Sequence, residues 1–164
     1  MEIQKANLTL AGMLSDYAKE CSADGIDKYK DVELFPLEYL INLIEREFIE
    51  PDLANSYLPT ITYFCISHNQ ILGTIRVRRG STPEIENAVG HIGYETKPTA
   101  RNQGVATFML NWVRHNALTS PVIVTCSVNN LASRIVIEKC GGVYLGNGYD
   151  AEDGEVRRYK LSCA

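Results

Sequence analysis

The residues best suited to chemistry sit near the middle of the chain, in Arg101-Asn102-Gln103-Gly104-Val105-Ala106, between an apolar stretch that closes at Lys97 and a run of helical period. The first backbone N–H groups of a helix have no partner within it, and the helix dipole sets partial positive charge beside them. A glycine at 104 lets an anion approach those groups without meeting a Cβ. The chemistry is that of cradling a phosphate. A P-loop would continue with Lys-Ser/Thr after its last glycine, and a dinucleotide-binding fold would open near its N-terminus with three glycines. Neither pattern is present. Taken alone, the glycine reads equally well as a requirement of the turn.

Candidates for proton transfer lie just upstream: His91, Tyr94 and Glu95. A histidine titrates near neutrality and makes a sensible base, although His91 reads equally well as a ring satisfied by backbone in a half-buried strand. Strand alternation puts His91 and Glu95 on one face and Tyr94 on the other. Cys126 could serve as a covalent nucleophile, but a cysteine within the apolar run Val122-Ile123-Val124-Thr125-Cys126 is the inert, packed kind. Cys21, Cys65, Cys126, Cys140 and Cys163 are odd in number and scattered, with no C-x-x-C pair and no histidine at a metal spacing. They are expected to be reduced thiols, and no metal is expected.

These residues need a scaffold. Met13, Leu14, Tyr17, Ala18 and Cys21 recur at three-and-four spacing and predict a helix over 11–21. A second helix starts at Pro36, carries Leu37, Leu40, Ile41, Ile44 and Phe48 on one face and ends by Glu50, before Pro51. The two are expected to precede the sheet. β-branched and aromatic runs over 61–66 and 71–78 predict a hairpin about Ser67-His68-Asn69-Gln70. A strand over 89–97 is closed by Pro98. The stripe Val105, Phe108, Met109, Trp112, Val113 then predicts a helix whose apolar residues are core. The strand 122–126 completes a parallel crossover. A helix over 131–139 follows, capped by Asn129 or Asn130 and stopped by Gly141-Gly142, and strands over 143–149 and 155–161 close the chain.

Composition sets outer bounds. A length of 164 residues suits one domain over 1–164, and 45% hydrophobic with 22% charged residues is globular composition. A formal charge of −4 disfavours nucleic acid and fits a cationic amine weakly. The one basic run, Arg76, Arg78 and Arg79, reads as a solvated strand face. No apolar run approaches the ~20 residues of a membrane span, and the start lacks a signal-peptide layout, so a cytoplasmic protein is expected. The paired C-terminal strands offer an edge for a homodimer.

The downstream half of the motif sharpens the phosphate reading. Arg101, Gly104 and Ala106 resemble the R/Q-x-x-G-x-G/A hallmark of the GNAT N-acetyltransferase superfamily, and Asn130, Ser133, Val136, Glu138, Lys139 and Gly141 resemble its N-x-x-S-x-x-V-x-E-K-x-G segment. Gly90-His91-Ile92-Gly93-Tyr94, Val124-Thr125-Cys126 and Gly141-Gly142-Val143 resemble a subgroup of predicted acetyltransferases. The resemblance implies an α/β (α+β) fold with a mixed, mostly antiparallel sheet of about six to seven strands and about four helices, its parallel pair splayed at the coenzyme site. It implies acetyl-CoA as co-substrate, with contacts from Tyr94, Glu95 and Thr96, from Arg101, Asn102, Gln103, Gly104, Val105, Ala106 and Thr107, and from Asn130 and Ser133. The implied activity is acetyl transfer to a primary amine of a small molecule or peptide by direct attack. Two positions depart from the family pattern. Ile137 stands where many relatives have a tyrosine acid, and Thr125 where some have a glutamate. That leaves His91, Tyr94 and Glu95 as catalytic candidates, and a catalytically silent acyl-CoA-binding module as the alternative.

Overall fold

A computed structural model describes residues 1–164. One seven-stranded sheet runs in the order β1-β2-β3-β4-β5-β7-β6. Its strands are β1 (Glu2–Lys5), β2 (Thr60–Ser67), β3 (Gln70–Arg78), β4 (Ile92–Thr96), β5 (Val122–Ser127), β6 (Val143–Asp150) and β7 (Gly154–Leu161). All neighbours are antiparallel except β4 and β5. Four α-helices, α1 (Ala11–Ala23), α2 (Pro36–Arg46), α3 (Val105–Asn116) and α4 (Leu131–Lys139), complete the mixed, mostly antiparallel architecture that the sequence implies. None is long and apolar enough to cross a membrane.

Alternation along the strands divides the core. Cys65, Ile75, Ile92, Val124 and Tyr159 meet α3 through Val105, Met109, Leu110 and Val113, and α4 through Ile137. Phe64, Ile66 and Ile71 face the other way, toward Leu14, Tyr17 and Cys21 of α1 and Leu40 of α2. The β2–β3 turn is a tight one, with His68 and Asn69 both at positive φ, the primed geometry that matches strand twist.

Four expectations need correction. β1 precedes the helices and forms a sheet edge beside β2; four residues with no apolar alternation carry too little signal to announce it. Helix α2 ends at Arg46, within the bound set by Pro51 but before Phe48, its last amides turning back to Glu45 and Ile44, so Phe48 lies outside the helix and is exposed. Its buried stripe is Tyr39, Leu40 and Leu43, so Leu37 and Ile41 face solvent. Finally, β4 begins at Ile92, because Ile85–Val89 forms a single π-helical turn and Gly90, at φ +78°, redirects the chain.

That π-turn is clamped against β6. A Cβ built on Gly148 would lie 1.8 Å from the Asn87 carbonyl oxygen. Gly148→Ala should therefore lower stability by about 1–3 kcal/mol, the usual range for overpacking. The urea midpoint reads this, and an unchanged midpoint would show that the turn yields freely.

Candidate functional site

The β4–β5 pair is where the sheet opens. The strands register at one position, Ile92 with Val124, after which β5 pairs only with β7 and β4 only with β3. The closed end is fixed from both sides: His91 N–H donates to the Ile123 carbonyl at 2.7 Å, and Ile123 N–H donates to His91 Nδ1 at 3.0 Å. On β4, Lys97 N–H reaches Leu72 and the His91 carbonyl accepts from Arg78. Antiparallel alternation then sends the backbone groups of Gly93 and Glu95 to β3 and those of Tyr94 and Thr96 into the gap.

Beyond β4 the chain makes one 3-10 turn, Pro98–Ala100, tied to the end of α1. Glu20 accepts from the Thr99 amide at 2.8 Å and its hydroxyl at 2.6 Å, and Asp24 holds the Arg101 guanidinium at 2.8 Å. Asn102 and Gly104 take left-handed φ of +62° and +78°, which turns the backbone so that Gly104 caps α3. The N–H groups of residues 102–107 have no acceptor in the protein; the first helical bond is Phe108 N–H to Gly104. No protein atom lies within 4 Å of a Cβ placed on Gly104. Six amides and a positive helix end thus face open space at the mouth of the strand gap. Beside them, the Arg101 guanidinium is paired with Asp24 in a half-exposed ion pair.

Tyr94 and Glu95 point to opposite faces, as alternation requires. The Tyr94 hydroxyl bonds Ser133 Oγ at 2.7 Å, and the Ser133 amide donates to Asn130 Oδ1 at 3.1 Å in the N-cap of α4. Asn130, Ser133 and Tyr94 therefore form a polar chain linking α4 to β4 on the α3–α4 side. Burial pushes the Tyr94 phenol above its ordinary value, so it stays protonated.

On the other face Glu95 sits in a cluster that sequence reasoning missed. Tyr29 and Lys28 hydrogen-bond to it, Thr74 donates at 2.6 Å and Arg76 lies 3.3 Å away. These partners come from a turn 66 residues earlier and from β3, and no local pattern joins them. Burial by itself would raise the carboxyl; Arg76 and Lys28 outweigh it and hold the group down at about 2. Lys28 is lowered by burial and by Arg76 against the pull of Glu95, an effect that water moderates, since its side chain keeps 36% exposure.

His91 stands at the closed end with both ring nitrogens committed. Nδ1 accepts from Ile123, which leaves Nε2 to donate to Ser81 Oγ at 3.1 Å, and burial lowers its basicity. Cys126 is buried and its thiol is raised by burial. Ile137 is wholly buried, and Thr125 spends its hydroxyl on the Val89 carbonyl.

The family model for the acetyltransferase (GNAT) domain matches residues 36–143. No curated protein matches the chain by sequence. Among solved structures, the chain is similar to the ribosomal L7/L12 alpha-N-protein acetyltransferase RimL in complex with coenzyme A (16% identity, TM-score 0.70, 98% of this chain and 92% of that one). It is similar to the ribosomal-protein-S5-alanine acetyltransferase from Vibrio fischeri (13%, 0.70, 98% and 92%). The microcin C7 self immunity acetyltransferase MccE, in complex with acetyl-CoA and AMP, is a third (15%, 0.65, 98% and 92%). At these identities the likeness is one of fold.

A carboxyl that ionises more readily folded than unfolded contributes stability that is complete above the unfolded value of about 4.3 and is lost as pH falls toward 2. Glu95→Gln should cost about 3–5 kcal/mol at pH 7, because Arg76 and Lys28 lose their counter-charge, and should flatten the stability curve between pH 5 and pH 2. An acid limb identical to wild type would remove Glu95 from this account.

Proposed function

The chain belongs to the acetyltransferase (GNAT) domain family, and on that premise we propose that it transfers an acetyl group from acetyl-CoA to a primary amine, by direct attack in a ternary complex. The observation that carries this reading is the row of six free amides at residues 102–107, open above Gly104 and adjoining the unpaired edge of β4. Asn102, Gln103, Gly104, Val105, Ala106 and Thr107 would hold the pyrophosphate. Tyr94 and Thr96 would offer backbone groups to the coenzyme arm, with Asn130 and Ser133 on its far side. Glu95 would act through its side-chain cluster. The reading involves no metal and no nucleic acid, and five unpaired cysteines support a reducing, cytoplasmic setting.

The chemistry follows from which groups are free. Attack on a thioester needs a neutral amine, a donor for the developing oxyanion and a proton for the departing thiolate. A backbone N–H of β4 in the gap supplies the donor. Tyr94, protonated and bonded to Ser133, is the proton source on the α4 side. No uncommitted base stands ready near neutrality: His91 is bonded at both ring nitrogens, Glu95 is held ionised, and Lys28, lowered to about 8 by burial and Arg76, is tied to Glu95. Lys28, Arg76 and Arg78 gather on the opposite face of β4. Positive charge there favours the neutral form of an incoming amine. Deprotonation is then left to solvent, and the raised Cys126 thiol supports transfer without an acyl-enzyme.

Acetyl-CoA at a hundred times its Kd should add about 2.7 kcal/mol, a rise in Tm of roughly 5–10 °C for a chain of this size. Gly104→Glu should abolish the shift while the free protein still folds; a full shift would remove the cradle from the argument.

Thiol release across an amine panel tests transfer itself. We expect kcat/KM to climb tenfold per pH unit up to the acceptor's own pKa, and Cys126→Ala to retain activity. A plateau near neutrality would reveal a side-chain base, and loss of activity in the folded variant would restore the acyl-cysteine. The second reading, a silent acyl-CoA-binding module, draws on Ile137 and Thr125. Tight coenzyme binding without thiol release from any amine would favour it.

A further inference from the structure

On the face of β4 turned away from α3 and α4, Gly93 has no side chain, and two guanidinium groups lie over the space this leaves. A Cβ at that position would be 3.3 Å from Arg76 Nη2 and 3.9 Å from Arg78 Nη1. Arg76 and Arg78 are two residues apart on β3 and so share this face. The position matters, because Gly93 immediately follows Ile92, the last residue at which β4 still registers with β5. Both guanidiniums therefore stand at the apex of the opening.

Their charges are not equally answered. Arg76 shares Glu95 with Lys28. Arg78 has no carboxylate partner; its side-chain hydrogen bond runs from Nη1 to the Gly90 carbonyl at 3.2 Å. Three cations thus gather about one anion in a chain whose formal charge is −4. Burial and the nearby charges of Arg76 and Arg46 push Arg78 down to about 10, which still leaves it charged at neutral pH. Arg78 also lines, with His91, Ile123 and the 117–121 loop, a cleft of about 880 Å³ at the closed end of the β4–β5 pair, within the size range of small-molecule sites. Its other charged side chains are Arg79, Arg158 and Lys160 against Glu86, and Glu86 already accepts from Ser81 at 2.9 Å. Arg158 is tethered to the Glu86 backbone carbonyl. A guanidinium with no carboxylate partner of its own, in a cleft where four cations line the wall against the single carboxylate Glu86, is suited to paired hydrogen bonding of a carboxylate or phosphate.

We propose that the acceptor is a small amine that also carries an anion, carboxylate or phosphate, and that Arg78 binds this anion so that the amine is presented at the apex between β4 and β5. The proposal rests on the acetyl-transfer reading above and adds the acceptor's charge to it. It reverses the expectation that an acidic chain favours a cationic amine: the local field at the apex is positive, and a polyamine would be repelled there.

Two measurements test it. In the first, inorganic phosphate and acetate are titrated against wild type and Arg78→Gln, with and without saturating coenzyme A, and Tm is read. Phosphate or acetate should raise Tm of the wild type with coenzyme A present, when the cradle is filled, and Arg78→Gln should lose that rise while keeping its response to coenzyme A, which shows that it is folded. In the second, acetyl transfer is compared within matched pairs, β-alanine against β-alaninamide and O-phosphoethanolamine against ethanolamine, with spermidine as the cationic extreme. The anionic member should lead by roughly 10–100-fold in kcat/KM, the usual worth of a charge-assisted bond. Arg78→Gln should remove the lead mainly through KM, and Arg78→Lys should restore part of it. The pair that leads tells carboxylate from phosphate.

Absence of any Arg78-dependent rise in Tm, or a preference for the neutral amines or spermidine, would overturn the proposal. Failure of coenzyme A to shift Tm would instead overturn the coenzyme reading, and the anion titration without coenzyme A would still report on Arg78.

Discussion

Everything about this site depends on two parallel strands that stop pairing after one register position. A sheet ordinarily satisfies every backbone N–H and C=O between neighbours, and a strand left half-paired in the middle of a sheet is costly unless something else takes those groups. Here β5 is held along its length by β7 and β4 along its length by β3, so the gap opens without unravelling either strand. The closed end is secured by His91, whose backbone and ring both bond Ile123. The candidate for proton transfer thus spends its backbone and Nδ1 on holding the foot of the opening together.

The surrounding elements serve that opening from different sides. Glu20 and Asp24 at the end of α1 hold the turn after β4, which in turn presents six free amides at the head of α3. Asn130 caps α4 and, through Ser133, reaches Tyr94 across the gap. On the opposite face a single carboxylate, Glu95, gathers Lys28, Tyr29, Thr74 and Arg76 from two distant segments. The two faces of β4 are thus chemically distinct, one neutral and hydrogen-bonding, the other cationic. The proposed direct transfer would benefit from this division, with thiolate and amine approaching from opposite sides and each meeting the charge environment it needs.

Much of the scaffold was legible in the sequence because its signals are local. Helical stripes in α1 and α3, the cap and stop of α4, and the β2–β3 turn each rest on neighbours a few residues apart, and the row of free amides is a local turn followed by a helix. Other elements were hidden for equally physical reasons. β1 has too short an edge to alternate visibly, the buried stripe of α2 was rotated by packing against α1, and the start of β4 was displaced by a π-turn that β6 clamps from outside.

By itself, then, the sequence determined the order of elements from α1 onward, the helix start behind Gly104 and a cap at Asn129 or Asn130, because each is settled by dihedral preference and spacing along the chain. Tertiary structure alone decided the electrostatics. Which partners the His91 ring meets, how firmly Glu95 is held ionised, and whether Arg76 and Arg78 face solvent or converge over Gly93 all depend on groups brought together from remote segments. Charge interactions of that kind act through space, and spacing along a chain does not encode them.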